Sequence, residues 1–331
     1  MKSAKDTPGT DLAKILLCVL AGVMIIMIAG LVSHIHSQDD RILSLEKANT
    51  AEVAKNKTFQ RTLCSDKSTL SANSTTPYSL QSEGYDRTYH VHTPQNYDAS
   101  LRYPLIVSFD GYDGNGLKME AYSGLDSLNA VLVYPDSLPG PNGVTSWQGA
   151  PYSAKGDRDV LFTKAMLEKV KRDYCIDETK QFAVGMSNGG GFAELAACRL
   201  DTAFKAIATV SGAFYSNCEE SARKIAVLAF HSTSDQRVPF EGFTARGLPA
   251  ITTWAQDQAN NRQCQTNTIN RDDPTSTQFN WTNCEDSSQV RLVVFDGQEH
   301  GWLHLSNAKG DVKTLQEYIW NFFEDSVYSA S

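Results

Sequence analysis

The 331-residue sequence lacks an excess of basic residues: 30 Lys and Arg stand against 38 Asp and Glu, for a net charge of −8. Polyanion binding rests on clustered cations that neutralise phosphates, and no basic stripe occurs here, so nucleic acid is excluded as a partner. Internal repeats are missing as well, and low complexity is confined to one short Ser/Thr-rich stretch, which leaves no propeller or solenoid to consider. No cofactor motif occurs. Of the seven histidines, His90 and His92 would share one strand face at metal-binding spacing, but no third ligand accompanies them. They read as a surface pair, with His34 and His36 as linker residues, and neither a metal nor a cofactor is expected.

Charge is absent altogether from one run, "ILLCVLAGVMIIMIAGLV" at 15–32. With Leu12 and Ala13 it roughly matches the ~30 Å hydrocarbon core of a membrane at 1.5 Å per residue. Two readings stand, an uncleaved signal anchor or a cleaved signal peptide with Ser33 or Ser37 near its end, and both export the rest of the chain. Lys2, Lys5 and Lys14 before the run favour an N-terminus left inside. Six of the seven cysteines and three N-x-S/T sequons, at Asn56, Asn73 and Asn280, all come after the run. Together they point to an extracytoplasmic, disulfide-bonded and glycosylated domain. The expected organisation is a tail at 1–11, the anchor or signal at 12–33, a polar stalk at 34–62 and a folded domain at 63–331. The Ser/Thr-rich "SDKSTLSANSTTPYS" follows Cys64, so the folded domain is expected to begin near that cysteine.

From there strand-like and helix-like segments alternate. "RTYHVHT" alternates as a half-exposed strand, while "PLIVSF" and "AVLVYP" are short β-rich runs of the kind buried on both faces of a sheet. In "RDVLFTKAMLEKVKRDY", Phe162, Met166, Val170 and Tyr174 form an apolar stripe opposite Lys164, Glu168 and Lys171. Further alternation through "QFAVG", "AIATVSG", "IAVLAFH" and "VRLVVF" predicts an α/β fold with a mainly parallel sheet covered on both faces.

Into this pattern falls "FAVGMSNGGGFA". Ser187 lies just after a predicted strand and just before a predicted helix, where a nucleophile elbow needs it, with Gly185 and Gly189 small enough for strand and helix to approach. A serine hydroxyl needs a base, and in "VRLVVFDGQEHGWLHL" His300 comes five residues after the strand's Phe295, with His304 as competitor. Asp235, in the loop after "IAVLAFH", is the expected acid, and Asp296 is the alternative. The order Ser, Asp, His is that of α/β-hydrolases. Oxyanion donors are expected from the backbone N–H groups of Asn188, next to the serine, and Tyr112, in "SFDGYDGNG". Trp147, in a long loop, together with Trp302 and Tyr112 offers an aromatic wall for a phenolic acyl group.

Three stretches, "YCIDETKQFAVGMSNGGGF", "AFHSTSDQRVPF" and "GQEHGWLHL", resemble the secreted feruloyl esterase and poly(3-hydroxybutyrate) depolymerase group of α/β-hydrolases, carbohydrate esterase family 1 in the broad sense, on its feruloyl esterase side. The likeness runs from about Cys64 to the C-terminus. It implies Ser187 as nucleophile, Asp235 as acid and His300 as base. It also implies disulfides Cys64–Cys175, Cys198–Cys218 and Cys264–Cys284. Two departures stand out: Asp110-Gly111 where the family has His-Gly, and "HSTSD" where it often has H-G-T-x-D, with Ser232 in place of Gly. The expected activity is hydrolysis of a carboxylic ester through an acyl-enzyme, on a hydroxycinnamoyl ester of plant cell-wall polysaccharide. Acetylxylan and polyhydroxyalkanoate esters are the alternatives within that class, and an inactive, membrane-tethered binding module is the alternative outside it.

Overall fold

A computed structural model describes residue 64, residues 71–200, 203–215, 225–271, 275–285, 287–305 and 314–328, and scattered positions between 24 and 50. The chain divides into two units, Met1–Leu63 and Cys64–Ser331. In the first, the described positions, among them Met24, Met27 and Leu31, are helical and exposed. Most of the apolar run, the sequon at Asn56 and much of the stalk lie outside the described residues. Among the described residues no helix is long and apolar enough to cross a membrane.

The second unit is built on ten strands: β1 (Ser74–Ser82), β2 (Tyr85–Thr93), β3 (Tyr103–Phe109), β4 (Val131–Pro135), β5 (Ile176–Met186), β6 (Ala206–Val210), β7 (Ala226–Ser232), β8 (Thr266–Asn270), β9 (Ser276–Thr282) and β10 (Val290–Phe295). They form one sheet in the order β1-β2-β4-β3-β5-β6-β7-β10-β9-β8. From β4 through β10 the pairings are parallel, and an antiparallel pair of strands closes each edge.

Alternation along the central strands sends side chains to two cores. In β3, Leu105, Val107 and Phe109 join one cluster with Phe162, Met166 and Phe192, while Ile106 joins the other with Phe230, Ile319 and Phe322. Hence α2 (Arg158–Asp173), α3 (Asn188–Arg199) and α4 (Ile251–Asn261) cover one face, and α1 (Gly116–Ser123) and α5 (Leu315–Tyr328) the other. The α2 stripe of Phe162, Met166, Val170 and Tyr174 is buried throughout. This is the α/β-hydrolase architecture, with both faces of a central parallel sheet covered.

The Ser/Thr-rich stretch ends in β1, whose residues alternate in exposure as an edge strand on β2. One feature departs from expectation. His92 is not at the surface: it is buried, because Glu120 of α1 and Thr75 of β1 stand over its ring, its Nδ1 2.9 Å from the Thr75 hydroxyl and 3.1 Å from Glu120. Disulfides join Cys64 to Cys175 and Cys264 to Cys284, while Cys218, expected to pair with Cys198, lies outside the described residues.

Strand order also locates the site. After β3 the chain moves one way to β4 and then returns to place β5 on the other side of β3, so the direction of winding reverses between β3 and β5. At such a reversal the loops diverge and leave a crevice at the carboxyl ends of the strands.

Candidate active site

Ser187 stands at the end of β5 and begins the turn into α3, with φ 54° and ψ −120°. A non-glycine residue held there costs roughly 1–3 kcal/mol, so its surroundings must over-determine it. They do: its N–H donates to Val210 O at 2.9 Å, and its carbonyl accepts from Gly190 at 3.0 Å, Gly191 at 3.2 Å and Ala213 at 2.9 Å. The turn is tight because its neighbours lack side chains. A Cβ on Gly185 would stand 2.1 Å from the Gly189 carbonyl oxygen, and one on Gly189 would stand 2.3 Å from those of Phe109 and Asp110.

Two loops deliver the partners. His300 lies after β10 in a loop pinned to neighbouring strand ends, with Ser232 Oγ donating to Gln298 O at 2.6 Å and Ser211 Oγ to Gly301 O at 2.9 Å. Its Nε2 lies 2.9 Å from Ser187 Oγ and its Nδ1 2.7 Å from Asp235 Oδ2. Asp235 comes after β7, and its other oxygen accepts from the N–H groups of Arg237 at 2.9 Å and Val238 at 2.8 Å. Burial would push this carboxyl up, but the hydrogen bonds from His300 and Val238 outweigh it and hold the group below the ordinary carboxylate range. An ionised carboxylate only accepts, so Nδ1 carries the ring proton and the neutral Nε2 is free to take the proton of the Ser187 hydroxyl. His231, which opens the "HSTSD" stretch, is a supporting residue to which the sequence alone assigns no role. Buried at the end of β7, its Nε2 donates to Val238 O at 2.8 Å and lies 3.5 Å from Asp235, and burial pushes its pKa down, which keeps it neutral.

On the far side of Ser187 runs the loop after β3. Asp110 is buried there, and its carboxylate accepts from Gly111 N–H at 2.7 Å, Asn115 N–H at 2.6 Å and Tyr122 O–H at 2.6 Å. Burial dominates and raises its pKa. Asp113 N–H is bound to Thr145 O at 3.0 Å, and among the described residues no acceptor reaches the Tyr112 N–H. Asn188 opens α3, and an N–H in the first turn has no partner within the helix.

The remaining candidates separate. Trp147 does not face a ligand: it is 1% exposed, stacked on Phe192, and its ring N–H donates to Asp110 O at 2.9 Å. The Asn188 side chain fixes the same residue, accepting from its N–H at 2.7 Å. Trp302 lines a separate hollow of about 260 Å³ beside Tyr122, so it is not part of a wall at Ser187. His304 lines that same hollow, and Asp296 pairs with Arg271 at the surface. Tyr112 does border the cavity of about 670 Å³ that opens on Ser187 and His300, where Tyr152 and Tyr215 continue its aromatic surface. Of the sequons, Asn73 is exposed, whereas Asn280 is buried within β9, between β8 and β10, and leaves no room for a glycan in the folded domain.

Comparison with known proteins agrees with this architecture. The Esterase family model matches residues 81–277, more than half of the chain. A protein of Aspergillus flavus named "Probable feruloyl esterase C" is 31% identical over 224 residues, covering 64% of this chain and 76% of its own length. One of Aspergillus terreus with the same name is 29% identical over 225 residues, 65% of this chain and 77% of its own. Among solved structures, an acetyl xylan esterase from Aspergillus awamori superposes with a TM-score of 0.56 at 14% identity, over 75% of this chain and 99% of its own, a likeness of fold.

Proposed function

Because this chain belongs to the Esterase family and is a carboxylesterase of the feruloyl esterase-like kind, we propose that Ser187, His300 and Asp235 hydrolyse its ester through an acyl-enzyme. The relay of 2.9 Å and 2.7 Å contacts from Ser187 through His300 to Asp235 carries this reading. His300 Nε2 takes the hydroxyl proton as Ser187 Oγ attacks the ester carbonyl, and Asp235 stabilises the resulting imidazolium. The N–H groups of Asn188 and Tyr112 meet the oxygen that becomes negative, each worth about 3 kcal/mol in the transition state. The imidazolium then protonates the departing alcohol. Water, deprotonated by the same nitrogen, attacks the acyl carbon and releases the acid.

For the acyl group, the names of the relatives and a cavity bordered by Tyr112, Tyr152 and Tyr215 favour a hydroxycinnamoyl ester on a plant cell-wall polysaccharide. A cavity of about 670 Å³ is far larger than an acetyl group requires. Export agrees with the two disulfides, since such bonds persist in oxidising compartments, and Asn73 is the described sequon open to a glycan.

The test is hydrolysis of methyl ferulate, an acetylated xylan and a polyhydroxybutyrate suspension by the oxidised protein and by Ser187→Ala. Methyl ferulate is expected to be the preferred substrate, with kcat falling by about four orders of magnitude or more in the variant. Equal rates for the two proteins would overturn the mechanism, and a preference for either polymer would overturn the acyl assignment.

A further inference from the structure

The cavity at Ser187 has a charge its chemistry does not require. Arg237 and Arg246 both border it, while no Asp or Glu is among its lining residues, in a chain whose net charge is −8. Arg246 is held in place: one guanidinium nitrogen donates to Arg237 O at 2.8 Å and another to the Tyr215 hydroxyl at 3.1 Å. Its remaining N–H groups have no acceptor among the described residues. Arg237 is fixed through its main chain, its N–H on Asp235 and its carbonyl under Arg246, and among the described residues its guanidinium meets neither a carboxylate nor a carbonyl. The tyrosine surface ends at these cations, for Tyr112 packs on Tyr152 with ring centroids 5.0 Å apart, Tyr152 on Tyr215 at 5.8 Å, and Tyr215 holds Arg246.

We propose that Arg237 and Arg246 form a carboxylate-binding subsite, so that the ester this enzyme selects carries an anionic group beside the scissile bond. The proposal rests on the reading of Ser187 and His300 as the reacting pair. Two cations bordering one cavity give it a potential that favours an anion, and the planar guanidinium fork matches the geometry of a carboxylate. An aromatic surface leading to a cation suits a substrate with a flat apolar portion and an acidic end. That acidic end has two sources, the acyl part, as in a dicarboxylic acid esterified at one end, or the alcohol part, as in a saccharide containing uronic acid.

Two matched pairs of esters distinguish them. For charge in the alcohol part, 4-acetoxybenzoate is compared with its methyl ester; for charge in the acyl part, mono-4-nitrophenyl glutarate is compared with 4-nitrophenyl pentanoate. The measurement is the ratio of kcat/KM, anionic over neutral, for the oxidised full chain, for Arg237→Gln and for Arg246→Lys, at low and high salt. In one pair the ratio falls by about tenfold in Arg237→Gln, the loss expected of one charge-assisted contact, and about 0.5 M salt narrows it in the parent. Arg246→Lys, which keeps the charge but not the fork, loses less. Ratios equal in parent and variants for both pairs overturn the subsite. If the parent turns over none of the four esters, the esterase reading fails separately, and the subsite is judged by calorimetric binding of 4-acetoxybenzoate: weaker binding to Arg237→Gln upholds it, and equal binding overturns it.

Discussion

One carboxylate organises the loop opposite Ser187. Asp110, where the family resemblance implies His, gathers three donors on one buried carboxyl, from Gly111, Asn115 and Tyr122. With Gly111 N–H drawn to Asp110 and Asp113 N–H to Thr145, the Tyr112 N–H between them is left without an acceptor among the described residues. Asp110→Asn places an amide NH2 against donors that need an acceptor, so the loop shifts while the cavity walls stay. The expected result is a fall of about 10–100-fold in kcat with KM within about threefold, less than the full loss of an oxyanion donor. Steady-state kinetics on methyl ferulate decides it, and a change confined to KM would remove Asp110 from this role. Ionisation adds a second check, because burial keeps Asp110 protonated to higher pH than an ordinary aspartate. Protonation converts an acceptor into a donor, so kcat falls on the acid side, and the Asn variant loses that inflection.

Among the elements, β3, β5 and the start of α3 fit closely. Gly189 has the carbonyls of Phe109 and Asp110 2.3 Å from where a Cβ would be, and main chain cannot step aside as a flexible side chain would. Gly189→Ala therefore lifts α3 off the sheet. The expected cost is about 2–4 kcal/mol, a melting point lower by roughly 5–15 °C, read by thermal denaturation. An unchanged melting point would mean the helix docks less closely than these distances require. This turn was legible in the sequence because its physics is local: an apolar strand, a serine and glycines at fixed spacing admit few other conformations. Asp235 and His300 were legible for a related reason, since each comes after a buried-type strand whose end marks the crevice. Trp147 was not, because a loop tryptophan and a buried one look alike until Phe192, Asp110 and Asn188 are brought around it. The edge strands were also hidden. In β1 and β8, Ser, Thr, Gln and Asn face solvent, and a strand half or wholly exposed shows little apolar alternation.

At the scale of the whole molecule, stability depends on an ionisable carboxyl placed inside it. Glu194 of α3 is buried against α4, accepting from Trp254 Nε1 at 3.1 Å and Gln258 Nε2 at 2.6 Å, and burial pushes its pKa up to about 7. The unfolded chain releases this proton near pH 4.5. Between those values the folded state binds more protons than the unfolded one, so stability falls as pH rises, by up to about 3 kcal/mol across the window. Glu194→Gln removes that slope. In guanidinium denaturation it is expected to match the parent near pH 4 and exceed it near pH 8; a parent whose stability contribution from this site rises with pH would refute the assignment. The Cys64–Cys175 bond acts over a still longer span. It joins the beginning of the folded unit to the residue just before β5, the strand that ends at Ser187. Tension applied through the N-terminal segment would therefore enter the sheet at β5 along a covalent path. Everything between the two cysteines, from β1 through the Asp110 loop to α2, sits inside a closed ring and is spared the load carried along the main chain. A pull on the protein's leading end would strain neither the loop facing Ser187 nor the hydrogen bonds that hold it.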